Sequence, residues 1–332
     1  MSGDCRGRYG SESELIAALA TLFQSGAEKI PADLIVDIGD DAAIIQTAGD
    51  LMALSSDLLV EGTHFKMEYS DLYSIGKKAA VANLADIFAM GIRPRFFLVS
   101  VALDERFLHN ESSKNSILEL ARGIHDQASQ FGVRVIGGDI ARSDRLTISI
   151  TALGNGSKKV TRSGAKVGDG LFITQLPGRS LLGLEQLRKG INIDGESIAH
   201  HLAPEVDFEK FFTISRSATA LCDISDGLIS EAGHIARASG VDINIESAAL
   251  KHHPNFEKIS ELAKELGIDP IAAIIESGEE HFPIFTSRID ELGKLDGMKN
   301  GFKIGDVLAK AGESGRVMLD FQEEKPSGFS HF

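Results

Sequence analysis

The sequence predicts an α+β protein in two parts, and three features carry that expectation. Short apolar runs bounded by Gly or Asp recur along the chain, and longer helix-periodic stretches stand between them. The two kinds of segment alternate without the strict βαβ rhythm of a parallel sheet. A polar stretch rich in Gly and Lys, over 155–170, interrupts the pattern near the middle of the 332 residues. The resulting division is a flexible N-terminus over 1–13, an N-terminal domain over 14–154 and a C-terminal α+β domain over 155–332.

Ser11 and Glu14 form a capping box ahead of the apolar-periodic residues 15–23, a first helix. Apolar runs over 34–36, 42–45 and 51–54 read as strands. Asp71 caps a long helix through Met90, closed by Gly91 and followed by Pro94. A buried strand over 96–103, a helix over 112–131 and a strand over 133–136 follow, the last ending in Gly137-Gly138-Asp139. Residues 146–153 alternate as a further strand. Beyond the break come a strand over 171–174, helices over 181–188 and 208–221, a turn over 222–227, a helix to Ser239 and a strand over 241–245.

Composition narrows the function classes. With 34 Lys and Arg against 48 Asp and Glu, the net charge is −14, so no basic footprint for nucleic acid exists. The two cysteines, Cys5 and Cys222, stand far apart in no metal-ligand spacing and fit a reducing, cytoplasmic setting. No apolar run approaches the ~20 residues that span a bilayer, and residues 1–11 lack the apolar core of a signal peptide. The expectation is a cytoplasmic protein with no membrane partner.

Familiar nucleotide signatures are missing. No GxxxxGK[ST] loop occurs, the protein-kinase motif set is absent, and Gly154-Asn155-Gly156 lacks the third glycine of a dinucleotide fingerprint. His and Cys never cluster at zinc spacing. What recurs is Asp at strand ends and Gly-rich turns: Ile38-Gly39-Asp40-Asp41, Ser55-Ser56-Asp57, Gly137-Gly138-Asp139 and Asp223-Ile224-Ser225-Asp226-Gly227. Asp86 lies inside the long helix with Asn83 one turn earlier on the same face. Taken singly, each such residue is a turn former or a cap. Converging from different strands, Asp41, Asp57, Asp86, Asp139 and Asp223 suggest several Mg²⁺ ions clamping a polyphosphate, because unpaired buried carboxylates cost several kcal/mol.

In order and spacing these motifs resemble the thiamine-monophosphate kinase family. They are joined by Asp57-Leu58-Leu59-Val60-Glu61-Gly62-Thr63-His64-Phe65, Ala82-Asn83-Leu84-Ala85-Asp86, Thr161-Arg162-Ser163-Gly164-Ala165 and the closing Gly328-Phe329-Ser330-His331-Phe332. The resemblance implies an aminoimidazole ribonucleotide synthetase-like fold. In it the N-terminal sheet pairs with a second subunit's to form a homodimeric barrel, and the C-terminal α+β domain closes an ATP cleft. It implies phosphorylation of thiamine monophosphate by ATP with Mg²⁺. By position, it assigns metal roles to Asp41, Ser55, Ser56, Asp57, Asp86, Asp139, Asp223 and Asp226. It assigns ATP contacts to Gly138, Asp139, Arg162 and Ser225, and substrate contacts to His64, Glu279 and Phe329.

The chain departs from the family pattern at Ser277-Gly278-Glu279-Glu280-His281-Phe282, where Gly-Gly-Glu-Asp-Tyr-Glu is usual, and at Pro204-Glu205-Val206-Asp207, which lacks an arginine. A phosphate monoester acceptor is already largely dianionic near neutrality, its second pKa being about 6, so direct in-line transfer needs no general base and no phosphoenzyme. The alternatives are a sister ATP-dependent synthetase of the same superfamily and a non-catalytic thiamine-phosphate or nucleotide-binding protein.

Overall fold

The computed structural model describes residues 32–107, 111–288 and 301–324. The helix expected over 15–23, Cys5 and the closing segment with Phe329 lie outside these residues.

Helix α1 (Leu72–Ala89) organises the first half. Asp71 caps it, accepting from Ser74 N at 2.8 Å, and Gly91 leaves it at φ 70°. Its sequence is rich in alanine, and residues on every side of it are buried, among them Ile75, Ala80, Leu84, Ile87 and Phe88. Neighbours crowd it because it packs against helix α2 (Glu111–Ser129), against the first sheet and against elements of the second half. A Cβ on Gly76 would stand 2.2 Å from Leu120 O, and one on Gly123 would stand 2.0 Å from Tyr73 O. The α1 and α2 backbones therefore touch only because both positions are glycine.

Among the described residues, the first sheet has six strands in the order β1-β2-β3-β6-β4-β5. They are β1 (Leu34–Val36), β2 (Ala43–Gln46), β3 (Leu51–Val60), β4 (Arg93–Leu103), β5 (Arg134–Arg142) and β6 (Thr147–Gly156). Only β4 and β5 run parallel. Strand alternation turns Ala53, Ser55, Asp57 and Leu59 towards α1 and leaves Ser56 and Leu58 on the outer face. That outer face keeps apolar residues in solvent, with Leu58 52%, Phe96 37% and Leu98 40% exposed.

Three expectations need correction here. Strand β3 does not stop at Leu54 but continues to Val60, in unbroken register with β6 from Leu51↔Gly156 to Val60↔Thr147. The polar Ser55-Ser56-Asp57 interrupts the apolar run without breaking the ladder. Strand β5 likewise runs through Gly137-Gly138-Asp139, carried by β4. Strand β4 is not fully buried, because its outer side chains face solvent.

Among the described residues, the second sheet holds seven strands in the order β13-β12-β9-β11-β7-β10-β8, with only β12 and β9 parallel. They are β7 (Gly170–Ile173), β8 (Ala220–Asp223), β9 (Asp242–Ile245), β10 (Pro283–Ser287), β11 (Phe302–Leu308), β12 (Val317–Leu319) and β13 (Gln322–Glu324). Helices α3 (Arg179–Lys189), α4 (Gly195–Leu202), α5 (Phe208–Ile214), α6 (Leu228–Ser239), α7 (Ser247–His252), α8 (Phe256–Glu265) and α9 (Pro270–Glu276) belong to this half. The single helix expected over 208–221 is α5 followed by β8. Ser217 N and Ala218 N both close on Ile214 O, and Ala220 then enters the ladder with β10.

Strands β7 and β10 are buried on both faces. Phe172, Leu221 and Phe285 face the core of the first half, whereas Leu171, Ile173, Cys222 and Ile284 face the core of the second. Phe88 of α1 stacks on Phe208 of α5 at 5.1 Å. Helix α1 thus packs directly against β8, and this contact brings Asp86 and Asp223 together.

Candidate metal centre and cleft

Three carboxylates from three elements meet. Asp41 precedes β2, Asp86 projects from α1, and Asp223 ends β8; one oxygen from each lies within 4.8 Å of the others. Ser55 Oγ on β3 donates to Asp86 Oδ2. Asn83, one turn before Asp86, accepts Asp57 N at 3.3 Å and donates to Ala79 O at 3.0 Å, so that face of α1 is fastened to β3. Arg162 donates to Asp41 Oδ1 from Nη2 at 2.6 Å and from Nε at 3.1 Å, while His281 Nδ1 stands 3.0 Å from Asp223 Oδ2. Among the described residues, Asp41 Oδ2 and Asp223 Oδ1 are buried with no hydrogen-bond partner.

Electrostatics follow from this crowding. Burial lifts the Asp41 carboxyl well above its ordinary range despite Arg162, and Asp223 and Asp40 add to the rise. Burial also lifts Asp86 well above its ordinary range, reinforced by Asp57, Asp223 and Asp41. Asp57 is raised by burial against the charge of His281, with Asp223 pushing the same way as burial. Hard carboxylate oxygens, two of them orphaned and too few protein cations to balance them, fit a divalent cation of the Mg²⁺ type.

Beside the triad a cleft of about 580 Å³ opens between the two halves. Asp57, His64 and Lys78 line it from the first half, and Ser225, Asp226, Glu279 and His281 from the second. The loop 277–282 is stitched to the end of β8: Glu279 N donates to Ser225 O at 2.5 Å, and Glu280 N and His281 N donate to Ile224 O at 3.1 and 2.8 Å. Glu279 and His281 adopt left-handed backbone, at φ 56° and 54°. Two non-glycine residues in that region, either side of Glu280 at a cleft, mark strain held by its surroundings.

The predicted site residues divide. Asp41, Ser55, Asp57, Asp86 and Asp223 come together, with Arg162 on Asp41. Ser225, Asp226, His64 and Glu279 line the adjoining cleft. His64 also holds its own turn, its Nδ1 accepting Val60 N at 3.0 Å. Ser56 also lines the cleft, yet its hydroxyl pairs with Thr151 at 3.1 Å on the outer face. Gly138 and Asp139 sit on the exposed edge strand β5, separated from β3 by β6 and β4. Asp139 lies in register with Ser100, Ser149 and Leu58, on the outer face and away from the triad.

Several residues that build the site were not foreseen. Lys78 is buried on α1 two turns before Asp86; in the sequence it is one of the adjacent pair Lys77-Lys78, and nothing there shows which of the two turns inward. Glu231 on α6 is fully buried and receives Asp226 N at 3.3 Å and Ser225 Oγ at 3.3 Å. Burial would lift its carboxyl, but His234 and Arg162 hold it down at about 2. Glu280 accepts Gly178 N, Ser180 N and Ser277 Oγ and faces His200 Nε2 at 2.9 Å. No spacing rule links these positions.

Residues 39–155 match the family described as AIR synthase related protein, N-terminal domain. The thiamine-monophosphate kinase of Archaeoglobus fulgidus is 31% identical over 323 residues, spanning 97% of this chain and 98% of that one. The chain belongs to the thiamine-monophosphate kinase family. The solved structure of AaThiL complexed with AMPPCP and TMP is 28% identical to this family member and superposes with a TM-score of 0.85, covering 99% of this chain and 100% of that chain. The hydrogenase maturation protein HypE, 20% identical with a TM-score of 0.64 over 90% of this chain and 96% of that one, shares the fold. The α+β architecture expected for the kinase family is thus the one observed. Among the described residues, no helix is long and apolar enough to cross a membrane.

Proposed function

We propose that this protein transfers the γ-phosphoryl group of ATP to the phosphate of thiamine monophosphate, giving thiamine diphosphate and ADP. The carboxylate triad carries this reading: Asp41, Asp86 and Asp223 are pressed together with orphaned buried oxygens at the edge of a cleft between the two halves. Asp41, Asp86 and Asp223, with Ser55 and Asp57, are the residues that would hold Mg²⁺, and Ser56 and Asp226 at the cleft rim would complete the set. Bound there, Mg²⁺ would offset the repulsion between acceptor and donor phosphates and hold them in line.

The chain's own groups then have definite tasks. Arg162 presents a guanidinium at the triad for the phosphates of ATP, and Ser225 donates to Glu231, whose other oxygen faces Arg162 at 3.6 Å. His281 donates to Asp223 and fixes its orientation; the pull of Asp223, Glu279 and Asp57 outweighs the opposing effect of burial and raises its pKa. His64 and Glu279 line the acceptor end of the cleft. The acceptor needs no base, because near neutrality it is already largely dianionic with a second pKa of about 6.

A homodimer joined through the outer face of the first sheet belongs to the same proposal. The exposed Leu58, Phe96 and Leu98, and the β5 edge, which no described strand covers, favour pairing with a second copy. Gly138 and Asp139 lie on that edge, where they would serve a nucleotide bound near the subunit boundary. The working domains are 14–154 and 155–332, meeting at the triad.

The test is ADP formation from Mg-ATP with and without thiamine monophosphate, with the product identified. Strong stimulation and thiamine diphosphate are expected. ADP release indifferent to thiamine monophosphate would overturn the reading, and tight binding without turnover would favour a binding protein instead.

A further inference from the structure

We infer that Lys78 is the positioning residue for the thiamine-phosphate end of the cleft, an assignment that rests on the proposed function. Its side chain is 4% exposed, and a buried ammonium is tolerated only when its donors are satisfied. Its Nζ donates to Glu279 Oε2 at 2.9 Å, His64 O at 3.2 Å and His201 O at 3.2 Å. An ammonium has three donors. All three are engaged, so Lys78 has no hydrogen left to offer a phosphate.

The three acceptors come from three separate segments. His64 lies in the turn after β3, His201 in the last turn of α4, and Glu279 in the left-handed loop after α9. The His201 carbonyl sits at the negative end of its helix, which suits a cation. One nitrogen thus joins both halves of the molecule and fixes the two cleft residues, His64 and Glu279, relative to each other. Glu279 depends on it most. Its backbone is strained, and although burial would raise its carboxyl, Lys78 and His201 keep it below the ordinary range. Gly278 locks the approach, since a Cβ there would stand 2.5 Å from Ser225 O. The triad is served separately: Asp86 lies eight residues along α1, about 12 Å at 1.5 Å per residue.

Steady-state kinetics of the full chain with both substrates varied test this assignment. Lys78→Met keeps the aliphatic stem and removes the charge. It should raise KM for thiamine monophosphate by about 10–100-fold while leaving KM for ATP within about twofold. Glu279→Gln in the Lys78 background should give a selective rise of the same kind. The double variant should be no worse than the more impaired single one, because the two side chains act as one unit. Equal rises in both KM values, or full additivity in the double variant, would reduce Lys78 to general structure and overturn the inference. So would an unchanged KM for thiamine monophosphate in both single variants. If Lys78→Met does not fold, Glu279→Gln and Lys78→Arg decide by the same selectivity. Wild-type protein without thiamine-monophosphate-dependent ADP release would instead defeat the functional reading itself.

Discussion

Asp41, Asp86 and Asp223 share their enclosure with one arginine and one histidine, whereas Glu279 and Glu280, from the loop that closes the same cleft, are each held by donors of their own. Glu280 receives two backbone amides and a hydroxyl and faces His200. Glu279 receives Lys78. The consequence is opposite in sign: burial and mutual repulsion lift the carboxyls of Asp41 and Asp86, while the partners of Glu279 and Glu280 overcome burial and lower theirs. Enclosure with unequal satisfaction separates a site suited to a cation from a scaffold whose charges are already paired.

The most damaging way to probe this contrast is on the triad. Asp86→Asn keeps an acceptor for Ser55 but removes a charge, and should lower kcat/KM at least about a thousandfold, roughly 4 kcal/mol at 1.36 kcal/mol per decade. The same variant should be more stable than wild type without divalent cations, by about 1 kcal/mol, since it relieves repulsion. Near-normal turnover would remove Asp86 from the metal site. The scaffold side should respond in the reverse sense. Glu280→Ala strands buried donors and should cost about 3–5 kcal/mol in denaturant unfolding. A loss under 1 kcal/mol would show that Glu280 is not the structural keystone its contacts imply.

How much of this was legible in the sequence follows from the range of the interactions. The cap at Asp71, the stop at Gly91 and the glycine-bounded strands are local, and the sequence carries them openly. The aspartates stood out because carboxylates beside glycine recur at strand ends. The length of β3 did not show, because Ser55-Ser56-Asp57 reads as a strand end until β6 pairs with all of it. Which face Asp139 occupies depends on register across four strands, a property no single segment encodes. Lys78 and Glu280 are defined by partners far along the chain, at separations of 201 residues for Lys78–Glu279 and 102 for Gly178–Glu280. Such pairings have no periodicity to read. The resemblance assigned roles by position but could not say which of those positions the fold would bring together.

Protons and divalent cations compete for the triad, and the sign of that competition is fixed. In the unfolded chain an Asp titrates near 3.9. The folded values of Asp41 and Asp86 are raised, so the folded state binds more protons, and their contribution to stability declines as pH rises from about 4 through the folded values. A cation needs the deprotonated form, so its stabilising effect should grow over the same range. The most direct measurement is therefore thermal unfolding of the wild-type protein at pH 6 and pH 8, titrated with MgCl₂ and with KCl at matched ionic strength. Mg²⁺ should raise Tm well beyond KCl, more at pH 8 than at pH 6, and Asp86→Asn should lose most of that rise. Equal responses to the two salts in the wild type would contradict a metal centre at Asp41, Asp86 and Asp223.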